Sequence, residues 1–234
     1  MEIKIAYMYP DLLNLYGDRG NIITLKKRLE DRGIAAVVQE YSIEETPDFS
    51  EIDILYIGGG SERSEELSMK SLMKLKDQIK SYAENGGVIL AVCSGYEMLG
   101  KYIKKNEKTE ALGILDIHTE YSKKRMIGDL VLHNEVFGDI AGFENRHGRV
   151  ITNKLTPLGK VTHSVSGRKD NEGVIYKNVI ATHLHGPLLP KNPKIADHLI
   201  KCALEKKYGK SDLTKLDDTL EIKANEYIVN MLKK

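Results

Sequence analysis

The chain has 234 residues, 41% of them hydrophobic and 29% charged, with 35 basic and 34 acidic side chains for a formal net charge of +1. That length supplies one large α/β domain with a core on both faces of a sheet. The balanced charge excludes nucleic-acid binding by bulk electrostatics, and apolar runs no longer than a strand exclude a transmembrane helix.

Residues 3–8 alternate and break at Tyr9-Pro10, which predicts a first strand in place of the apolar core of a signal peptide. Residues 21–32 place Ile22, Ile23, Leu25 and Leu29 at helical spacing, with Gly33 where a C-terminal glycine belongs. Residues 35–41 predict a second strand, and 53–57 a third that ends in Gly58-Gly59-Gly60. Residues 64–85 carry Leu67, Leu72, Leu75 and Ile79 on one side and predict one long amphipathic helix. A continuous apolar strand then runs through Val92 into Cys93-Ser94-Gly95 and the apolar start of a helix. This order predicts a mostly parallel sheet with helices on both faces.

Strands are expected over residues 126–134 and 149–153, then over 161–166, 173–176 and 179–184, the last leading into His185-Gly186-Pro187. Pro193 opens a helix over 194–205. The tail 213–234 offers Leu220, Ile222, Ala224, Ile228 and Met231 for one more helix, expected to pack as a terminal element. With no repeat or linker, residues 1–234 read as a single domain, a core over 1–208 and a helical tail over 209–234. Two cysteines, Cys93 and Cys202, form no disulfide framework or metal spacing, which points to a reducing cytoplasm.

Chemistry concentrates at three strand ends. A cysteine on a strand-to-helix turn has the layout of a nucleophile elbow, where it is lifted from the sheet towards helix N–H groups that favour the thiolate. The plainer alternative is a buried core cysteine. Gly58-Gly59-Gly60 either makes a tight turn or lets a backbone N–H approach a developing oxyanion; it lacks the spacing of a phosphate-binding loop. His183 and His185 are two apart with no third metal ligand in sight, so no metal is expected, and His185, with Gly186-Pro187 behind it, is the better candidate base. Arg125, in Lys123-Lys124-Arg125, is either a solvated charge or a fork for a carboxylate. If the three strands are parallel neighbours, these groups share one cleft.

With Cys93 on an elbow, glycines before it and a late histidine, the chain resembles class I glutamine amidotransferases. The resemblance is to the branch holding the cobyric acid and cobyrinic acid a,c-diamide synthase glutaminase domains. Within that branch it is closest to the GatD-like group, the glutaminase subunits of lipid II isoglutaminyl synthases. It spans nearly the whole chain and rests on residues 9–21 (YPDLLNLYGDRGN), 58–60 (GGG), 91–100 (AVCSGYEMLG), 142–145 (GFEN) and 184–193 (LHGPLLPKNP). It implies a flavodoxin-like three-layer sandwich, with Cys93 as nucleophile, His185 as base, backbone N–H groups of Gly59 and Ser94 as oxyanion hole, and Arg125 holding glutamine. It also implies an ammonia-accepting, Mur-ligase-like (MurT-like) partner that amidates the D-glutamate of lipid II in peptidoglycan synthesis and carries the ATP and Mg, with no cofactor in this chain. Pro187 stands where such triads place glutamate, Ser94 where glycine is frequent and Glu97 where glutamine is frequent. The alternatives are a glutaminase serving a cobyrinate-like acceptor, a cysteine hydrolase of other γ-glutamyl compounds, and a non-catalytic regulatory subunit.

Overall fold

A computed structural model describes residues 1–152, 154–210 and 212–234; Asn153, expected to end a strand, and Ser211, in the tail, lie outside them. The first half runs β1 (Glu2–Met8), α1 (Arg19–Glu30), β2 (Ala35–Tyr41), β3 (Ile54–Ile57), α2 (Glu62–Leu72), α3 (Lys76–Glu84), β4 (Val88–Val92) and α4 (Ser94–Met98). The second half runs β5 (Tyr102–Lys104), β6 (Lys108–Glu110), β7 (Ile117–Asn134), β8 (Gly138–Thr152), β9 (Gly159–Ser164), β10 (Asn171–Glu172), β11 (Val174–Tyr176), β12 (Val179–Thr182), α5 (Pro193–Tyr208) and α6 (Thr219–Leu232).

The main sheet has the order β11-β12-β4-β3-β1-β2, parallel except for β11. The period of two along its strands builds two cores. Ile3, Ile5, Tyr7, Tyr56, Leu90 and Val92 face α1 and α5, while Ala6, Met8, Leu55, Ile57, Ile89 and Ala91 face α2 and α3. This is the three-layer sandwich expected, and β3, β4 and β12 are the parallel neighbours on which a shared cleft depends.

Two expectations are corrected. The single helix over 64–85 starts earlier, at a Ser61 cap whose hydroxyl accepts the Ser64 N–H, and is broken by a 3-10 turn over Met73–Leu75. The turn winds at about 3.0 residues per turn rather than about 3.6. It re-phases the stripe so that Met69 and Leu72 before it, and Ile79 and Tyr82 after it, all meet the sheet. The short strands 126–134 and 149–153 are instead parts of one long hairpin, β7–β8, in a second sheet ordered β10-β9-β7-β5-β6 with β8 on β7. Its extent is hidden in the sequence because β8 buries Glu144 and Arg146 where alternation would place apolar residues. A backbone bridge between Phe143 and His185 stitches this hairpin to the loop after β12. Among the described residues no helix is long and apolar enough to cross a membrane.

Candidate active site

Cys93 leaves β4 with its N–H donated to the Thr182 carbonyl at 2.9 Å, then turns the chain at φ 57°, ψ −121° into α4. A side chain at positive φ is uncommon, and here it is the conformation of an elbow. The turn closes tightly because Gly95 lacks a side chain: a Cβ there would lie 2.5 Å from the Ile57 carbonyl oxygen. Gly59 makes a similar concession, since its Cβ would lie 2.5 Å from that of Cys93. The glycine loop after β3 thus presses directly on the cysteine. Cys93 opens on a cavity also lined by Ser94, Glu97, Tyr16, Tyr121 and Arg125.

The thiolate expected at this turn is not favoured. Burial pushes the Cys93 thiol up, the Glu97 and Asp18 carboxyls push the same way, and a hydrogen bond from the Ser94 N–H is too little to offset them. Cys93 therefore rests as a thiol and needs a base at the moment of attack.

His185 is fully buried, and neither ring nitrogen has a hydrogen-bond partner among the described residues. Burial, then the charges of His183 and Lys191, lower its pKa to about 4, so at neutral pH the imidazole is uncharged, with a free lone pair and a weakened hold on a proton. It does not line the cavity; the ring of Tyr16, which does, stands 4.7 Å from it. His183, two residues earlier, is committed elsewhere. Its Nδ1 lies 3.2 Å from Glu172 and its Nε2 3.3 Å from Glu97. Despite burial, which pushes the Glu172 carboxyl up, His183, Arg146 and Arg168 hold it well below the carboxylate range.

The two expected oxyanion donors differ. The Ser94 N–H is turned towards Cys93, whereas the Gly59 N–H donates to the Asp18 carboxylate at 3.1 Å. The Gly60 N–H donates to the Ser94 hydroxyl at 3.0 Å. Asp18 also accepts a hydrogen bond from the Gly186 N–H, beside the histidine, and its other oxygen is buried without a partner among the described residues. Burial raises its pKa to about 7.

Arg125 lies within β7, not before a strand. The register slips between Tyr121 and Met126, and the bulge over residues 122–125 aims the guanidinium at the cavity. There it donates to Asn145 Oδ1 at 2.5 Å. Asp18, Tyr16 and Asn145 received no role from the sequence; the signal was their place inside the segments 9–21 and 142–145.

Residues 4–193 match the model of the CobB/CobQ-like glutamine amidotransferase domain. Over 98% of its length the chain is 41% identical to the GatD subunit of the glutamine-hydrolysing lipid II isoglutaminyl synthase of Staphylococcus aureus, covering 96% of that protein. It is 36% identical to the same subunit from Streptococcus pneumoniae, over 97% of this chain and 90% of that one. Among solved structures, PurLQS from Thermotoga maritima superposes with a TM-score of 0.59 at 16% identity, over 86% of this chain and 98% of that chain. A glutamine amidotransferase from the same organism gives 0.55 at 17% identity, over 99% and 93%. At such identities the superpositions speak for the fold alone.

Proposed function

We propose that this chain, which belongs to the CobB/CobQ-like glutamine amidotransferase family, is the glutamine-hydrolysing subunit of a lipid II isoglutaminyl synthase. The observation that carries the chemistry is a cysteine at positive φ on a strand-to-helix elbow, facing a cavity that also receives an arginine.

In this reading Arg125 takes the α-carboxylate of glutamine with its guanidinium fork and the side-chain amide reaches Cys93. The thiol gives its proton to neutral His185 as Sγ attacks the amide carbon. The carbonyl π electrons move onto oxygen. The Ser94 N–H receives the oxyanion, and the Gly59 N–H joins it by exchanging the Asp18 carboxylate for the new anion. Collapse breaks the C–N bond, and imidazolium returns the proton to the leaving nitrogen as ammonia. Water, deprotonated by the same imidazole, attacks the thioester; glutamate leaves and the thiol is restored. Each oxyanion donor is worth about 100- to 1,000-fold in rate.

Free ammonia is protonated at neutral pH and loses its nucleophilicity, so a hydrolysing subunit serves a partner that captures it at once. The relatives are named as subunits of a synthase, which supports a synthase partner; in this reading that partner is Mur-ligase-like and supplies the ATP-dependent step. Glutamate release should be measured for the chain alone and with that partner, beside Cys93→Ala and His185→Ala. Release lost by at least about 1,000-fold in Cys93→Ala and raised by the partner is the expected result. Equal release by wild type and Cys93→Ala overturns it.

A further inference from the structure

We propose that Tyr16 is the positioning residue for His185, and that Tyr16 and Asn145 link that imidazole to Arg125, so that a carboxylate arriving at the arginine is felt at the base. The proposal rests on the glutaminase reading for the roles of His185 and Arg125.

Tyr16 sits in a 3-10 turn, Leu15–Gly17, at φ 58° and ψ 25°. A bulky side chain occupies this region only where its surroundings hold it there. Four contacts do so. The Leu15 N–H donates to the Gly59 carbonyl at 2.9 Å, which seats the turn on the glycine loop. The Tyr16 ring lies 4.7 Å from the His185 ring and 6.0 Å from Phe143. Its hydroxyl accepts a hydrogen bond from Asn145 Nδ2.

The orientation of Asn145 is dictated by its other partner. A guanidinium only donates, so the amide oxygen must face Arg125 and the amide nitrogen must face Tyr16. One amide therefore reads both groups. When Arg125 turns to a carboxylate, Asn145 loses one of its two anchors and its grip on the Tyr16 hydroxyl changes with it.

At the other end, Tyr16 and Phe143 wall an imidazole that has no hydrogen-bond partner of its own among the described residues. With no carboxylate at residue 187, ring contacts fix where this imidazole points. The same wall keeps water from it and adds to the burial that lowers its proton affinity. The charged and titratable groups around it are His183 on the same segment, Lys191 from the turn before α5, and Asp18 through Gly186. Among the described residues the Tyr16 side chain makes its hydrogen bond and ring contacts with Asn145, Phe143 and His185, and none with His183, Lys191 or Asp18.

The test uses the chain with its co-purified synthase partner and follows glutamate release against glutamine concentration and pH. Tyr16→Phe keeps the ring and cuts the link; Asn145→Ala cuts it from the other side. Each is expected to lower kcat about tenfold with a smaller change in KM, and the double variant to cost no more than either single. Tyr16→Ala opens the imidazole to water, and the acid limb of kcat/KM should move up by about one pH unit or more. Additive losses in the double variant, or an acid limb unmoved in folded Tyr16→Ala, overturn the proposal. Should Tyr16→Ala not fold, the Tyr16→Phe and Asn145→Ala cycle decides alone. Activity surviving in Cys93→Ala or His185→Ala is a different outcome and overturns the glutaminase reading itself.

Discussion

Asp18 is a carboxyl group held out of water between two backbone N–H groups, with one oxygen unpartnered among the described residues and a pKa raised from 3.8 to about 7. Between those values the folded chain keeps a proton that the unfolded chain has released. Stability therefore falls as pH rises through the window, and the full penalty, about 4 kcal/mol, stands above it. Asp18→Asn keeps an acceptor for the Gly59 and Gly186 N–H groups and removes the charge. Its stability against urea should gain on the wild type from pH 4 to about pH 7 and then level off by about pH 8. A constant difference across that range would assign the pH dependence to other groups. The same variant removes one of the carboxyls that push the Cys93 thiol up, so alkylation of Cys93 by iodoacetamide should begin at lower pH.

At the scale of the elements, β4, the elbow and α4 form one rigid unit pressed against the end of β3. Gly95→Ala would drive a Cβ to within 2.5 Å of the Ile57 carbonyl oxygen and 2.8 Å of that of Gly58, both backbone atoms. The elements must separate, at a cost of about 2 kcal/mol or more, and the Cys93–Gly59 contact separates with them. Thermal unfolding and glutamate release should fall together; a variant of wild-type stability would mean that the elbow has slack. This unit was legible because a strand buried on both faces writes a continuous apolar run that stops where the chemistry starts. The long hairpin was not, because β8 fills its inward positions with Glu144 and Arg146, paired to Arg168 and Glu172. Cys93, His185 and Arg125 could be picked out by residue type and segment. Asp18 and Tyr16 could not, since their partners Gly59 and His185 lie 41 and 169 residues away and only the fold brings them near.

Across the whole molecule, a partly buried ion cluster centred on buried Arg28 joins α1, α5 and the tail. Arg28, on α1, donates Nε and Nη2 to the two oxygens of Asp197 on α5, each at 2.8 Å, and Nη1 to Asp218 just before α6 at 2.6 Å. Arg32 adds a further contact to Asp197 at 2.8 Å. Burial pushes the Asp197 carboxyl up, but the two guanidinium groups win and hold it below its ordinary value. A depressed carboxyl stabilises the fold above its unfolded pKa, and that contribution disappears as pH falls through the folded one. The cluster is thus at full strength at neutral pH and fades in acid. Arg28→Met leaves Asp218 unpaired while Arg32 still serves Asp197, so the loss should be about 3 kcal/mol, at the lower end for a broken buried pair. Asp218→Ala cuts only the strand of the cluster that reaches the tail. Helix α6 otherwise lies against β7 and β8 through one narrow face. Val229 is its only fully buried apolar residue, the Asn225 amide bonds to Asp139, Lys191 and Asn192, and Leu220 and Tyr227 stand exposed. Hydrogen exchange in α6 should therefore quicken in Asp218→Ala by about tenfold while β1, β3 and β4 keep their protection. Uniform loss of protection would instead show that the tail and the sandwich unfold as one unit.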